Sequence, residues 1–441
     1  MEQVLPIRIL ATIALAGLAL FTAPVAARAQ IGLPGGLPDL PLPAPDRLPV
    51  DAERLQNGLG DTLDRTLQAP SRLRNLIRQS DGALEADPRG WPVVRAEIVA
   101  IDPSPAARRT ALDAGFTLVR EHRLEGLDLP VVVLAPPRGL SLRRALERLR
   151  RLDPDGAYEF NHVHSPAGVS GSRTTATPRS TPPVQARAGA VRLGLIDTGV
   201  DADHPALAGA AIRQRGFAGV ARPAAHGTAV ASLLAGRSGD FSGAAPGAAV
   251  FVADVYGGSP AGGASTAVAE ALAWMVGNEV RVVNISLVGP RNALVEAAVR
   301  RAAGRGVLIV AAAGNDGPAA PPLYPAAYPG VVGVTGVNAS GRALPEAARG
   351  PQVDFAAPGA DMAAAGPGDG YVSVRGASFA APLVAGLLAR RAGQGDAVQA
   401  LAAEARDLGA RGPDPVYGHG LVAADLRIAP AVVGARGRLS R

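Results

Sequence analysis

An α/β fold built on a doubly wound parallel sheet is predicted for the chain from about residue 191 onward, and three observations predict it. Continuous apolar runs at Ala249 to Val255, Val280 to Ile285, Val307 to Ala312 and Val331 to Val337 have the length and composition of strands buried on both faces. Between them Ser265 to Val276 and Ala293 to Ala303 carry helical patterns, and such alternation calls for parallel pairing through crossovers. Ligands of such sheets sit at the carboxyl ends of the strands, which is where Asp197, Ser286 and Asn315 fall.

The preceding elements follow in order. Arg8, the apolar stretch Ile9 to Phe21 and the small-x-small sequence Ala27-Arg28-Ala29 predict an export signal over residues 1–29, removed at about Ala29. Pro24 and the short apolar core argue against the rival reading, an uncleaved anchor. With no other span-length apolar segment, no stable membrane anchor is expected after cleavage. Residues 30–90 divide into a Pro-, Gly- and Leu-rich leader and a helical stretch, Asp51 to about Gln79, with Leu55, Leu59, Leu63 and Leu67 on one stripe.

From Trp91 the pattern changes. Val93 to Ile101, Thr117 to Glu121, Val131 to Ala135 and Ala157 to His162 read as strands, and helices capped by Ser104 and Ser141 run to Ala114 and Leu152. The order β-α-β-β-α-β predicts a small α+β, ferredoxin-like module over residues 91–165. His162-x-His164 fits strand alternation within it. A Ser-, Thr-, Pro- and Arg-rich stretch with little to bury, residues 166–190, reads as a linker. The parallel-sheet domain is expected over 191–430, with 431–441 as a tail.

Composition excludes several classes. With 441 residues the chain is long enough for a large core plus an accessory module. Without cysteine it has no disulfides, no lipoprotein anchor and no thiol chemistry. All 44 basic residues are arginine, which with the abundant Ala, Gly and Pro reads as a coding-composition bias. The arginines are spread along the chain, aromatics are few and the formal net charge is only +6, so no nucleic-acid partner is expected. The six histidines show no zinc-ligand spacing, and neither a P-loop nor a dinucleotide fingerprint follows a strand.

The chemistry lies in four short motifs. Gly376-Ala377-Ser378-Phe379-Ala380 sets a serine among small residues at a helix start, where its backbone N–H and the positive end of the dipole favour developing negative charge. Taken alone, that is an N-cap serine. Leu193-Gly194-Leu195-Ile196-Asp197-Thr198-Gly199 delivers a carboxylate at the end of a buried strand, and His226-Gly227-Thr228 opens a second small-residue helix. Jointly these fit nucleophilic acyl transfer, with His226 taking the Ser378 proton and Asp197 orienting the imidazole. Asn315, glycine-flanked after the strand Ile309 to Ala313, can donate its amide to an oxyanion alongside the Ser378 N–H, although Asn-Asp-Gly is equally a turn. An aspartic protease would need a second Asp-Thr/Ser-Gly, and an α/β-hydrolase would need Gly-x-Ser-x-Gly and the reverse residue order.

These motifs, with Asn284-Ile285-Ser286-Leu287, Tyr328-Pro329-Gly330 and Ala357-Pro358-Gly359, resemble the subtilisin-like serine proteases over roughly Val191 to Ala424. The Asp, His, Ser order is the one subtilisins use. The resemblance implies a subtilisin-like domain preceded by a prodomain that assists folding and then blocks the cleft; an autonomous adaptor is the alternative for that module. It also implies an exported, periplasmic or extracellular endopeptidase made as an autoprocessed zymogen. Its expected partners are polypeptide substrates and its own prosegment, it is expected to be monomeric, and no cofactor is required. A catalytically silent binding protein on the same fold is the alternative reading. Asp254-Val255-Tyr256-Gly257 and Ser286-Leu287-Val288-Gly289 are similar to the two edges that hold an extended peptide, so Tyr256, Gly257, Ser286, Leu287, Val288 and Gly289 are the implied substrate-binding residues. Val288 replaces a glycine common in the family and should narrow the cleft, and Ala377 replaces the usual threonine. Phe379 stands where subtilisins usually carry methionine. Of the methionines beyond the signal, Met275 is expected buried and Met362 exposed. The neighbourhood of His204-Pro205 also resembles the family, but it identifies no calcium ligands, so no metal residue is assigned and a structural ion is left open.

Overall fold

The computed structural model describes residues 71–166 and 191–439. The expected signal, the leucine stripe and most of the expected linker therefore lie outside the described residues.

Residues 71–78 form helix α1. Five strands follow, β1 (Leu84–Ala86), β2 (Pro92–Ile101), β3 (Thr117–Leu124), β4 (Leu129–Ala135) and β5 (Ala157–His162), with α2 (Pro105–Asp113) and α3 (Leu142–Leu152) between them. All pair antiparallel, in the order β1-β2-β4-β3 with β5 also against β2. Ser104 caps α2 by accepting the Ala107 N–H at 3.0 Å. Ser141 holds the N-cap position of α3 but makes no such bond.

Strand β4 shows how this module sits. Val132 and Leu134 face the core formed with α2 and α3, whereas Val131 and Val133 join a different core. That second core contains α5 (Ser265–Gly277) and α6 (Ala293–Ala303) of the larger domain. The small sheet thus lies between its own helices and those two. Gly126, in the turn between β3 and β4, permits close approach, since a Cβ there would stand 2.1 Å from the Ala273 carbonyl oxygen of α5.

A polar seam lines the same contact. Asn161 Oδ1 accepts the Thr266 N–H at the start of α5 (3.2 Å), and its amide donates to Glu97 (2.7 Å), which also pairs with Arg120. Ser265 Oγ donates to the His162 carbonyl at 3.0 Å. The residue preceding α5, Ala264, has no side chain to offer as a cap, so Asn161 fills that role across the contact.

A two-residue strand, β6 (Ser165–Pro166), ends the first described segment. The larger domain then supplies β7 (Arg192–Asp197), β8 (Ala211–Gly216), the short pair β9 (Arg237–Ser238) and β10 (Phe241–Ser242), β11 (Ala249–Asp254), β12 (Val282–Ile285), β13 (Leu287–Val288), β14 (Leu308–Ala312), β15 (Val331–Val337) and β16 (Phe355–Pro358). Seven of them form one parallel sheet in the order β16-β15-β14-β12-β7-β11-β8. The chain winds from β7 out to β8 and back to β11, then crosses to β12 on the other side. The carboxyl end of β7 is therefore at the switch point where such sheets open a crevice. Leu193, Leu195, Val250 and Val252 face α4 (Ala225–Ala235) and α7 (Ala377–Arg390), while Ile196, Phe251 and Ala253 face α5 and α6. This is the doubly wound α/β fold expected.

The end of the chain departs from expectation. Strands β17 (Met362–Ala365) and β18 (Tyr371–Val374) pair antiparallel, and β19 (Arg438–Leu439) adds to β18 in parallel. Residues 431–439 are thus part of the fold and not a trailing tail, because β18 offers them an open edge.

Candidate active site

Each polar residue singled out in the motifs sits at the end of a different element. Asp197 closes β7, and its Oδ1 lies 2.7 Å from Nδ1 of His226, in the first turn of α4; the same oxygen accepts the Thr198 N–H at 2.6 Å. Both side chains are buried. Gly227 makes this approach feasible. Its N–H donates to Thr198 Oγ1 at 2.9 Å, and a Cβ would stand 2.4 Å from the Thr198 carbonyl oxygen and 2.7 Å from that of Gly199.

Ser378 lies in the first turn of α7, after Gly376 at φ 137°, in the region that favours glycine. Its Oγ lies 3.5 Å from the Ser286 carbonyl oxygen, and Nε2 of His226 is buried with no partner among the described residues. No hydrogen bond joins the Ser378 hydroxyl to the His226 imidazole. Asn315 follows β14, and its Oδ1 accepts the Ala377 N–H at 3.0 Å, which fixes the amide beside the start of α7 with its oxygen turned toward that helix. The Phe379 ring packs 5.3 Å from the His226 ring.

Asp254 ends β11 in register with Asp197. Burial raises its pKa, against the N–H groups of Gly257, Arg222 and Tyr256 that it accepts. Those bonds fold the chain after β11 into a turn, with Gly257 at φ 50°.

The expected substrate-binding residues divide. Leu287 and Val288 do form an edge strand, and β6 lies antiparallel on it, with Ser165 opposite Val288 and Pro166 opposite Leu287. Gly289 continues that edge, bridged on its other side to Tyr324. The Ser286 side chain is internal, accepting from Asn284 (2.9 Å) and donating to the Ser378 carbonyl (3.0 Å). On the opposite side Tyr256 donates its hydroxyl to the His164 carbonyl (2.9 Å). Gly257 does not form the second edge, because Asp254 ties its N–H into the turn. Gly263 and Ala264 form it instead: the Gly263 carbonyl accepts the His164 N–H at 2.8 Å, and Val163 bridges Ala264. The only sequence signal was the Gly262-Gly263 pair ahead of α5.

Three further placements were not legible beforehand. Arg72 of α1 forms an ion pair with Asp316, the residue after Asn315. Met362, expected exposed, is fully buried in the core that contains α7 and α4, because all four residues of β17 are packed inward, and Met275 is buried on the other side of the parallel sheet. His204 donates Nε2–H to the Gly370 carbonyl (2.9 Å) and accepts the Ala206 N–H at Nδ1 (3.0 Å), so neither nitrogen remains for a metal. No group of three or more His, Cys, Asp or Glu suited to a metal gathers among the described residues.

Comparison with known proteins shows the family of the larger domain. The model of the subtilase family matches residues 189–420. The chain is 35% identical over 204 residues to M-protease of Shouchella clausii and to subtilisin Savinase of Lederbergia lenta, in each case over 45% of this chain. It is 31% identical over 208 residues to subtilisin E of Bacillus subtilis. The chain spans about half the length of the first curated relatives it matches, 53% of M-protease and 54% of subtilisin E, and 75% of Savinase. Among solved structures, fervidolysin of Fervidobacterium pennivorans, a keratinolytic enzyme related to subtilisin, superposes with a TM-score of 0.62 at 21% identity, over 76% of this chain and 61% of that one. That likeness bears on the fold.

Gly227→Ala should drive His226 away from Asp197, since the added Cβ meets fixed main-chain oxygens. The expected outcome is loss of the low-field imidazole N–H proton signal of the hydrogen-bonded pair in a folded protein; an unchanged signal would show that the turn has room.

Proposed function

The chain belongs to the subtilase family, and from that premise we propose that it is an exported serine endopeptidase made as a zymogen. The observation that carries the proposal is the Asp197–His226 hydrogen bond opening toward Ser378 and Asn315. Ser378 is the nucleophile. A rotation about χ1 brings its Oγ from the Ser286 carbonyl to Nε2 of His226, whose Nδ1–H is held by Asp197 so that Nε2 is the basic nitrogen. His226 takes the proton as Oγ attacks the peptide carbonyl and returns it to the leaving amine, giving an acyl-enzyme; water then repeats the sequence and releases the acid. The Asn315 amide and the Ser378 N–H at the start of α7 donate to the oxyanion.

The substrate is an extended polypeptide. Leu287 to Gly289 bind it as one edge and Gly263 as the other, through main-chain bonds that leave sequence choice to side-chain pockets. Support for self-inhibition comes from the position of residues 163–166, which run between those same edges as a substrate would. The module of β1 to β5 is then the prodomain, and processing by Ser378 releases a monomeric enzyme to the periplasm or exterior. No cofactor enters these steps.

Labelling by a fluorophosphonate tests the nucleophile: the parent chain should react and Ser378→Ala should not, while a parent that stays unlabelled after processing identifies a silent fold. Ser378→Ala should also keep the prodomain attached when made in a protease-deficient host. Asn315→Ala should fold yet lose about a hundred- to thousandfold in turnover, the loss seen on removing one such donor from a subtilisin; turnover within tenfold of the parent would dismiss the oxyanion role.

The surroundings of His226 yield a further outcome. Phe379 offers no sulfur beside the oxyanion donors, and Met275 and Met362 are both buried, so peroxide should leave most hydrolysis intact and inactivate Phe379→Met faster. Equal rates of loss in the two proteins would refute the protection.

A further inference from the structure

The two histidines of the docked segment are buried in opposite ways. Nδ1 of His162 lies 3.0 Å from Nδ2 of Asn292, and Nε2 lies 3.2 Å from Asp87 Oδ2. Asn292 is the N-cap of α6, with Oδ1 accepting from Leu294 and Val295, so its amide nitrogen faces the ring and Nδ1 of His162 is an acceptor. Nε2–H then donates to Asp87, and both ring nitrogens are satisfied. Burial works to raise the Asp87 pKa, but the bond from His162 and the N–H groups of Trp91 and Arg89 outweigh it and hold it low.

His164 is the reverse case. Its main chain is tied on both sides, by the Gly263 carbonyl and the Tyr256 hydroxyl, yet both ring nitrogens are buried with no partner among the described residues. The ring lies against Gly289, where a Cβ would stand 2.5 Å from its Cδ2. Main-chain pairing therefore holds a buried imidazole between the two edges of the cleft.

Among the described residues no carboxylate pairs with that ring. On its own segment stands His162, whose Nε2 is the side that meets Asp87. Asn161, Glu97, Arg120 and Thr266 close on one another. Tyr256 turns its hydroxyl to the His164 carbonyl, while beyond it Asp254 accepts backbone N–H groups and Asp197 holds His226. On α5, Glu270 interacts with His122, Arg120 and Arg215. A proton on His164 would be a buried charge eased only by the Gly263 backbone, which opposes but does not overcome the effect of burial.

We propose that His164 is a proton-operated release for the segment that fills the cleft, holding it while the imidazole is neutral and expelling it in acid. The inference rests on the zymogen reading and adds the condition under which the site opens. Burial, with a smaller part from His162, pushes the His164 pKa from 6.5 down to about 4. Docking thus releases a proton: the docking equilibrium constant keeps its full value above pH 6.5 and, through this imidazole, falls about tenfold for each pH unit as pH falls from 6.5 toward 4. Glu270, whose burial raises its pKa, acts the other way by favouring a proton on the docked side, and this makes the loss in acid shallower.

Hydrogen exchange at the residue-164 amide in full-length Ser378→Ala protein, corrected for intrinsic rate, measures the release without turnover. Protection should fall about tenfold between pH 7.5 and 5.5. His164→Leu and His164→Gln, which put no titrating group in the pocket, should lose that difference. A flat parent, or a tenfold fall that persists in both variants, overturns the proposal and leaves the zymogen reading standing. An amide unprotected at both pH values overturns both.

Discussion

The second face of the small antiparallel sheet has no cover of its own. Val99, Ile101, Val131 and Val133 are buried only because α5 and α6 lie across them, and burying four such side chains is worth roughly 1.5–3 kcal/mol each. The strands β1 to β5 are oriented by that shared core. Once β2 and β4 are seated on the two helices, β5 must run toward their N-termini, and the residues after it must enter the crevice beyond. Residues 163–166 therefore reach Gly263 and Val288 through the apolar contact behind them, while their own hydrogen bonds settle the register.

The same two helices connect that contact to the chemistry. They cover one face of the parallel sheet in which β7 ends at Asp197 and β14 ends three residues before Asn315, while α4 and α7, which carry His226 and Ser378 in their first turns, cover the other. A carboxylate, an imidazole, an amide and a hydroxyl thus meet at one edge because four elements end there. None of these side chains is solvated in this arrangement, which keeps the Asp197–His226 bond undiluted by water.

Much of this was legible in the sequence, and the exceptions have physical causes. Strands β11, β12, β14 and β15 are buried on both faces, so each reads as an unbroken apolar run. Strand β8, Ala-Ile-Arg-Gln-Arg-Gly, is an edge whose arginines face outward, so it carries no apolar run to mark it. Strands β16 and β17 are mostly alanine, too small to announce burial. At the site, Asp197, His226, Ser378 and Asn315 stand in local motifs of glycine and small residues. The Gly263 edge does not, since one glycine among 54 carries no mark of the chain that will lie beside it. His164 was hidden for the same reason: its surroundings come from residues about a hundred positions away.

Helices α5 and α6 differ in one respect. Asn292 supplies the cap of α6 from the helix's own chain, so that cap stays when the segment 157–166 leaves, whereas the side chain that caps α5 belongs to Asn161 and departs with it. In the proposed maturation, the enzyme therefore forms its first turn of α5 against a template that it later discards. Unfolding and refolding the mature chain would not retrace the same route, and the transition state for regaining α5 would lack a stabilising partner. The durability of such an enzyme is a lifetime, governed by the height of its unfolding barrier, and no longer an equilibrium between native and unfolded forms.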